Sequence, residues 1–247
     1  MRREVRCLVL AAGAGTRMKS DLAKVLHPLC GRCLVEHVVD AAQRAGIPRP
    51  MVVVGHQAEK VKEALAGRPV DFVFQAERKG TGHAVMRAEP LIKDFDGDLL
   101  VLYGDVPLIR EETILSLVAK HQSEENACTM LTAVVENPGK YGRVIRDSRG
   151  TVSKIVEAGD ASPAELLVKE INPAIYCFDG KLMLEALRLV RPDNDQGEYY
   201  LTDVIGIMNG RGLPVAAVIV GDSREVLGIN TLDELRECEA YLDRTRK

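Results

Sequence analysis

The sequence contains few aromatic residues and no strong excess of charge. Of its 247 residues none is Trp, and Phe and Tyr together account for only 4%. So few aromatic side chains argue against a platform on which nucleic-acid bases would stack. The net charge of -3 gives no general attraction to nucleic acid or to an anionic membrane surface. We therefore expect no nucleic-acid partner, and any binding of phosphate must be local.

Long apolar runs are missing as well. No segment approaches the roughly 20 apolar residues of a membrane span, and the apolar run that starts at Val5 is only long enough for a strand. That run is too short for the hydrophobic region of a signal peptide. We expect a cytoplasmic protein with no membrane partner.

The cysteines do not form a pattern typical of a disulfide framework. Cys7, Cys128 and Cys177 lie within apolar strands, which predicts reduced, buried thiols. Cys30 and Cys33 form a CxxC pair, which a redox site or half of a zinc site would also require. A zinc site needs a second pair, and the sequence has none. We expect these two thiols to lie at the junction between a loop and a helix.

In the first half of the chain, apolar strands alternate with amphipathic helices. Strands are predicted at 7–13, 50–55, 71–75 and 98–105, and helices at 34–46, 58–67, 82–92 and 110–124. This alternation is typical of a parallel, Rossmann-like doubly wound sheet with right-handed crossovers.

The second half is mixed. Strands are predicted at 127–135, 141–157 (two halves around a turn at 147–150), 170–179 and 215–220, and helices at 180–190, 197–210 and 231–244. We expect one α/β domain over residues 1–247, with a mostly parallel mixed sheet flanked by helices. Its nucleotide half would cover about 1–110, its acceptor half about 111–230 and its C-terminal helix about 231–247.

A glycine turn with cations follows the first predicted strand. Gly13 and Gly15 lie in AGAGTRM, and Arg17 and Lys24 come just after them. The turn is neither GxGxxG, whose third glycine position is occupied by Met18, nor GxxxxGK[ST]. A plain strand-to-helix turn and a solvated loop lysine are the alternatives. Exposed backbone N–H groups next to cations favour a loop that holds phosphates.

Polar residues also follow two other predicted strands. Asp105 is the last residue of LLVLYGD, and Gln75 follows DFVF. In open α/β sheets, ligands bind beyond the carboxyl ends of the strands. A carboxylate there suits Mg²⁺ on a triphosphate, and an amide suits the edge of a base.

Several motifs together resemble the sugar-nucleotide pyrophosphorylases. In order they are AAGAGTRM, KVLH, QAERKGTGHA, YGDVPLI, YGRV, QGEYYLTD and GIN. Among these enzymes the chain is most similar to the uridyltransferase domain of the bacterial bifunctional enzymes that make UDP-N-acetylglucosamine. The resemblance runs from Leu8 to about Asn230.

The resemblance implies a role for each matched residue. Catalytic cations would be Arg17 and Lys24, and the Mg²⁺ ligands Asp105 and Asn230. The residues implied to bind the substrates are Leu10, Ala11, Ala12, Gly13, Gly15, Gln75, Gly80, Thr81, Tyr103, Gly104, Gly142, Glu157 and Asn172. Of these, Gln75, Gly80 and Thr81 would recognise uracil, and Gly142, Glu157 and Asn172 the N-acetylated sugar. Asn230 is also a natural helix cap, so its metal role depends on the resemblance.

The implied reaction is attack of N-acetylglucosamine 1-phosphate on the α-phosphorus of UTP, with Mg²⁺ as cofactor and pyrophosphate as the second product. The implied partners are small-molecule substrates only, and the implied state is a monomer or small homo-oligomer. Alternatives are a related enzyme for another sugar 1-phosphate or nucleoside triphosphate, or a non-catalytic sugar-nucleotide sensor. A sensor would be expected to lack the phosphate- and metal-binding groups that are present here.

The sequence departs from the family pattern at four points. Ala14 replaces a residue that is often polar. The stretch after Glu157 is Ala158-Gly159-Asp160 where the family has a Lys-Asp-Ala-like stretch, and Pro173-Ala174 follows Asn172 where a small residue and glycine are usual. The last two put the identity of the sugar in doubt. No hexapeptide repeat of a left-handed β-helix is present, so neither acetyltransferase activity nor a β-helix trimer is expected.

Overall fold

Residues 3–245 are described in the structure, which is a computed structural model. The strands are β1 (Val5–Ala11), β2 (Pro28–Leu29), β3 (Arg32–Cys33), β4 (Met51–Val54), β5 (Asp71–Phe74), β6 (Asp98–Tyr103), β7 (Cys128–Val134), β8 (Gly142–Arg146), β9 (Val152–Val156), β10 (Glu170–Asn172), β11 (Tyr176–Asp179) and β12 (Val215–Ile219). The α-helices are α1 (Leu34–Arg44), α2 (Ala58–Ala64), α3 (Thr81–Arg87), α4 (Glu89–Ile92), α5 (Glu111–Ser123), α6 (Pro163–Leu166), α7 (Gly180–Leu187), α8 (Asp203–Gly210) and α9 (Leu232–Thr245).

One large sheet runs through both halves of the chain. Its strand order is β5-β4-β1-β6-β11-β7-β10-β8-β9, and β12 also pairs with β7. Strands β5, β4, β1 and β6 are parallel, whereas β11, β10, β8 and β9 join by antiparallel pairs. The prediction of a single α/β fold with a mixed sheet is confirmed.

The central strands are buried on both faces, which explains why they are continuously apolar rather than alternating. One face packs against α3, α4, α7 and α8, and the other against α1, α2 and α5. A third, smaller cluster packs α9 on the short β2–β3 hairpin. No helix within residues 3–245 is both long enough and apolar enough to cross a membrane.

The single strand predicted over 170–179 is wrong, because the chain forms β10 and β11 with a bulge between them. Both pieces pair with β7, but the register advances by two residues between Ile171, opposite Ala133, and Tyr176, opposite Met130. Ala174, inside the bulge, has a left-handed backbone with φ of 65°. Such a bulge bends a strand and interrupts its ladder.

The bulge opens the sheet. Before it, β10 pairs with β8, and after it, β11 pairs with β6. The end of β6 at Tyr103 and the start of β8 at Gly142 therefore lie on either side of a gap at residues 172–174. Residues 172–174 form one wall of the candidate site.

Two further predictions need correction. The helix predicted over 197–210 begins only at Asp203, because the backbone of residues 199–201 hydrogen-bonds to residues 79–82 at and just before the start of α3. The helix predicted over 82–92 is two short helices, α3 and α4, that meet at Ala88.

Asp98, the first residue of β6, links several elements. Its side chain is buried, Gln122 Nε2 donates to its Oδ2 at 2.8 Å, and Arg3 Nη1 lies 2.9 Å from its Oδ1. Burial alone would raise the pKa of this carboxyl. The nearby ring of His121, the hydrogen bond from Gln122 and the charge of Arg3 outweigh burial, so the pKa of Asp98 lies below its ordinary value.

Asp98 should therefore stabilise the fold against acid. A carboxyl with a lower pKa in the folded chain adds stability above its unfolded pKa of about 4, and this stability is lost as the pH falls through the folded pKa. We expect Asp98→Asn to be less stable at pH 7 and to lose less stability than the wild type between pH 5 and 2. Urea unfolding across that range measures this, with the exposed Asp94→Asn as a control that follows the wild type. Parallel pH curves for Asp98→Asn and wild type would contradict the assignment.

Candidate active site

Two adjoining cavities lie at the carboxyl ends of β1, β5 and β6. The first, of about 520 Å³, is lined by the glycine turn, Gln75 and Gly80. The second, of about 560 Å³, is lined by β8, by the bulge at 172–174 and by residues just before α9. Lys24, Thr81, Tyr103 and Asp105 line both. A ligand in one cavity would thus meet a ligand in the other at these shared residues.

The glycine turn is shaped by close approach of the chain to itself. Gly15 has a φ of 70°, and its carbonyl accepts from the N–H of Met18 at 2.9 Å, which forms a single helical turn over Thr16–Met18. A Cβ on Gly15 would overlap the side chain of Lys24, whereas one on Gly13 would meet nothing within 4 Å. Gly15 therefore lets Lys24 pack directly behind the turn.

Two cations and two oxygen ligands form a polar network between the cavities. Lys24 Nζ pairs with the carboxylate of Asp105 and donates to Asn230 Oδ1 at 2.9 Å. Arg17 Nη2 donates to the same Asn230 oxygen at 2.7 Å. Asp105 and Asn230 are both buried. We call Arg17, Lys24, Asp105 and Asn230 the cation network.

The oxygen atoms of this network fit a magnesium ion. The Asp105 carboxylate and the Asn230 amide oxygen both reach one ammonium group, so both can also reach one small cation. Mg²⁺ is usually held by one or two carboxylates together with waters and substrate phosphates. Residues 3–245 contain no cluster of three or more His, Cys, Asp or Glu side chains suited to a metal. At this site phosphates and waters would therefore supply the other ligands.

The far wall of the first cavity is formed by the QAERKGTGHA segment. Gln75 is buried, and its Nε2 donates to the carbonyl of Gly80 at 3.2 Å. Gly80 lies against Tyr199, whose carbonyl would be 2.6 Å from an added Cβ. Tyr199 N–H donates to Lys79 and its carbonyl accepts from Gly82, both at 2.8 Å. The QGEYYLTD segment therefore holds this wall in place.

The second cavity contains a largely buried carboxylate. Glu157 Oε1 accepts from Thr202 Oγ1 at 3.1 Å. Burial raises the pKa of Glu157, and the hydrogen bond from Thr202 offsets part of that rise. Lys154, the nearby lysine, pairs instead with Glu165 at 2.9 Å. Glu157 thus faces the cavity without a cationic partner among residues 3–245.

Asn172 stands at the bulge on the opposite side of this cavity. Its Nδ2 donates to the buried Tyr176 hydroxyl at 2.7 Å, and its Oδ1 accepts from the N–H of Ala174 at 3.0 Å. The side chain thus ties together the two ends of the break between β10 and β11.

The structure brings nearly all the predicted site residues to the two cavities. The first is lined by Leu10, Ala11, Ala12, Gly13, Gly15, Gln75, Gly80 and Thr81, and the second by Arg17, Gly142, Glu157, Asn172 and Asn230. Tyr103, Lys24 and Asp105 line both. Gly104 lines neither, and a Cβ there would be 3.2 Å from Val25 Cγ1, so its place is in the packing behind the site. The chemical roles of these residues stay predictions.

Sequence reasoning missed several residues that line the cavities. Arg78 lines the first, and within residues 3–245 its guanidinium has no hydrogen-bond or ion-pair partner. Thr202 lines the second and bonds Glu157, and Tyr141 accepts from Gly228 N–H at 2.9 Å just before Asn230. Burial raises the pKa of Tyr141 to about 12. The basic pair before GTGHA was a signal for Arg78, whereas Thr202 becomes a neighbour of Glu157 only through the tertiary fold.

The CxxC pair lies outside both cavities. Cys30 is in the two-residue turn between β2 and β3, and Cys33 precedes α1 with its N–H donating to Glu36 at 2.7 Å. Burial, helped by the charge of Glu36, raises the pKa of the Cys33 thiol. This is the predicted junction between a loop and a helix.

The glycine turn after β1 and the paired cavities beyond β6 are features of a nucleotidyltransferase. The chain belongs to the family of the MobA-like NTP transferase domain, whose model matches residues 7–203.

Among relatives, it is 49% identical over 237 residues to the bifunctional protein GlmU of Lactobacillus delbrueckii subsp. bulgaricus, covering 96% of this chain and 51% of that protein. It is 48% identical over 241 residues to the bifunctional protein GlmU of Pelotomaculum thermopropionicum, covering 98% of this chain and 52% of that protein. The chain thus spans about half the length of these relatives. The resemblance inferred from the motifs is confirmed.

Solved structures share the fold at low sequence identity. A UDP-glucose pyrophosphorylase complexed with UDP-glucose superposes with a TM-score of 0.77 at 18% identity, covering 99% of this chain and 100% of that chain. A nucleotidyl transferase from Methanothermobacter gives a TM-score of 0.67 at 21% identity, covering 98% of each chain. These matches support the α/β fold.

The glycine turn yields a matched pair of variants. Gly15→Ala puts alanine at a positive φ and its methyl group into Lys24, which should lower the free energy of unfolding by about 1–3 kcal/mol. Gly13→Ala places a methyl group in open space and should change it by less than about 0.5 kcal/mol. Urea unfolding compares the two. Equal losses in both variants would show that close packing of Lys24 behind the turn does not constrain Gly15.

Proposed function

We propose that this chain catalyses uridylyl transfer from UTP to N-acetylglucosamine 1-phosphate, giving UDP-N-acetylglucosamine and pyrophosphate. The observation that carries the proposal is the cation network at the junction of two cavities. The first cavity has a glycine turn and a buried amide, which suit a nucleotide. The second has the half-buried carboxylate of Glu157 and the amide of Asn172, which suit the hydroxyl groups of a sugar. The matched motifs supply the identities of base and sugar.

The reaction needs no protein nucleophile. A phosphate oxygen of the sugar phosphate attacks the α-phosphorus of UTP, a new P–O bond forms, and the bond from the α-phosphorus to the bridging oxygen breaks. Pyrophosphate leaves with that oxygen and its electron pair. Because both cavities share Lys24, Tyr103 and Asp105, their occupants' phosphates would meet beside the cation network. Catalysis then consists of alignment and of charge stabilisation by Arg17 and Lys24.

Asp105 and Asn230 would hold Mg²⁺. When bound, the ion neutralises charge on the triphosphate and on the departing pyrophosphate. For these oxygens to be free, Lys24 and Arg17 must exchange their present partners for phosphate oxygens. The side chains that hold the site together without substrate are then the same ones that stabilise the reacting phosphates.

One observation favours a different sugar as the second candidate. The stretch Ala158-Gly159-Asp160, which replaces the family's Lys-Asp-Ala-like stretch, lies against a second acidic residue, Asp195. Asp160 Oδ1 accepts from Asp195 N–H at 2.8 Å, and a Cβ on Gly159 would lie 3.3 Å from Asp195 Oδ2. The stretch Ala158-Gly159-Asp160 lacks the basic group expected near the sugar phosphate. A related sugar 1-phosphate is therefore the alternative acceptor.

The substrates can be tested directly by offering the purified chain Mg²⁺, five nucleotides (ATP, GTP, CTP, UTP and dTTP) and a panel of sugar 1-phosphates. We expect the fastest pyrophosphate release with UTP and N-acetylglucosamine 1-phosphate. Faster release with another pair would overturn the substrate assignment and keep the reaction. No release with any pair would overturn the reaction and favour a sensor.

Loss of Arg17 should affect turnover more than folding. We expect Arg17→Ala to lower kcat on the order of 10²–10³-fold, because a group that stabilises developing charge is removed. Arg236→Ala removes the same charge from the exposed face of α9 and should leave kcat unchanged. Steady-state pyrophosphate release measures both. Near-full turnover by Arg17→Ala would rule out its catalytic role.

The proposed competition between Lys24 and a metal ion for the oxygen atoms of Asp105 and Asn230 can be tested without turnover, using Mn²⁺ as a probe. Lys24→Met keeps the aliphatic stem and removes the ammonium group that competes for Asp105 and Asn230. We expect it to bind Mn²⁺ about tenfold more tightly than the wild type in the absence of nucleotide, measured by electron paramagnetic resonance.

Two controls identify the site. Lys140→Met removes a cation that lines the second cavity but makes no hydrogen bond or ion pair with the cation network, and should leave Mn²⁺ affinity unchanged. Adding Asp105→Asn to Lys24→Met should abolish the gain. If Lys24→Met binds Mn²⁺ no more tightly than the wild type, Lys24 does not compete for the metal ligands.

A further inference from the structure

The amide of Gln75 is held in one orientation. Its Nε2 contacts two groups, the carbonyl of Gly80 at 3.2 Å and Nδ1 of His83 at 3.0 Å. A carbonyl can only accept, so the atom next to Gly80 must be the amide nitrogen. Both N–H groups of Gln75 are then used within the protein.

The carbonyl oxygen of the same amide is available to a ligand. Gln75 lines the first cavity, and within residues 3–245 its Oε1 has no hydrogen-bond partner. This oxygen is not among the polar atoms that are both buried and unpaired, so it is accessible from the cavity. Gln75 therefore presents an acceptor, and no donor, to the first cavity.

His83 fits this arrangement only when Nδ1 carries a lone pair. Burial, together with the charges of Arg87 and Lys79, lowers the pKa of His83, which favours the neutral ring at pH 7. Tyr199 lies beside the ring of His83, with the two ring centroids 6.5 Å apart. A proton on Nδ1 would set a donor against the amide N–H of Gln75.

From these contacts we infer that His83 is a positioning residue for base selection: by accepting from Gln75 it keeps the Oε1 of Gln75 directed at the base as an acceptor. A pyrimidine with a ring N–H at that edge, as at N3 of uracil, is then accepted. Cytosine has an unprotonated N3, so two lone pairs would face each other. The inference rests on the proposed function only in placing the base against Gln75.

We expect strong discrimination between UTP and CTP. With cytosine, neither the Oε1 of Gln75 nor N3 of the base has a hydrogen-bond donor opposite it. For the wild type we expect kcat/KM for UTP to exceed that for CTP roughly 100-fold or more. His83→Leu removes one acceptor from Gln75, so the amide is less firmly held. We expect that variant to lose about tenfold of the preference for UTP over CTP.

Two further variants separate positioning from a general structural role. His83→Asn can place its side-chain oxygen close to the position of Nδ1, and should retain most of the preference for UTP. Arg78→Leu alters the wall of the same cavity at a residue that makes no hydrogen bond to Gln75, and should leave the ratio of the two kcat/KM values unchanged. If His83→Leu lowers kcat/KM equally for UTP and CTP, His83 has only a structural role and the inference fails.

A measurement on the wild type covers the case in which His83→Leu does not fold. A UTP analogue methylated at N3 has lost the ring N–H, so we expect it to be rejected as strongly as CTP. Acceptance of the methylated analogue at the rate of UTP would overturn the inference.

The same ratio can be obtained from binding alone. Calorimetric Kd values for UMP and CMP, in wild type and His83→Leu, test base selection even if no pyrophosphate is released. If no pyrophosphate is released but UMP is still preferred over CMP, the proposed reaction fails and the inference on His83 stands. If pyrophosphate is released but the preference for UMP is the same in both proteins, the inference fails and the reaction stands.

Discussion

The ion pair between Lys24 and Asp105, extended by Asn230 and Arg17, is the interaction on which the site depends. It joins the loop after β1, the end of β6 and the segment before α9, which are more than 80 residues apart in sequence. Removing one member of a partly buried ion pair leaves the other charge without compensation, which destabilises the fold. The same charges make the junction of the two cavities suited to binding phosphates. Structural stability and chemistry therefore draw on the same side chains.

A second constraint is the opening in the sheet. A continuous strand over 170–179 would pair along its whole length and close the space between β6 and β8. The bulge instead transfers pairing from β8 to β6, and Asn172 bonds across the break through Tyr176 and Ala174. Ala174 adopts a left-handed backbone at a position where the family usually has glycine, so this wall is held at some cost in strain. The second cavity exists because of this local departure from regular strand pairing.

Much of the fold follows from local sequence patterns. The uninterrupted apolar runs at 7–11 and 99–102 have to be buried on both faces, which indicates a sheet between helices. Since parallel strands end at the same edge, polar residues after β1, β5 and β6 could be expected to lie together, and they do. That part of the candidate site was predictable from strand ends alone.

The remainder depends on contacts between distant segments. Residues 198–201 lack helix because Tyr199 bonds to Lys79 and Gly82, and no local pattern reveals that competition. The break at Pro173-Ala174 depends on a change of partner, because the chain pairs with β8 before the break and with β6 after it. Thr202 contacts Glu157 and His83 contacts Gln75, so their place beside the cavities becomes visible only once the chain is folded.

The central claim is that Lys24 and Arg17 leave Asp105 and Asn230 for the phosphates of the nucleotide. A crystal structure of the chain with Mg²⁺ and a non-hydrolysable UTP analogue tests this most directly. We predict Lys24 Nζ on a phosphate oxygen, with Asp105 and Asn230 bound to the metal ion. A structure in which Lys24 still pairs with Asp105 while the nucleotide is bound would contradict the account.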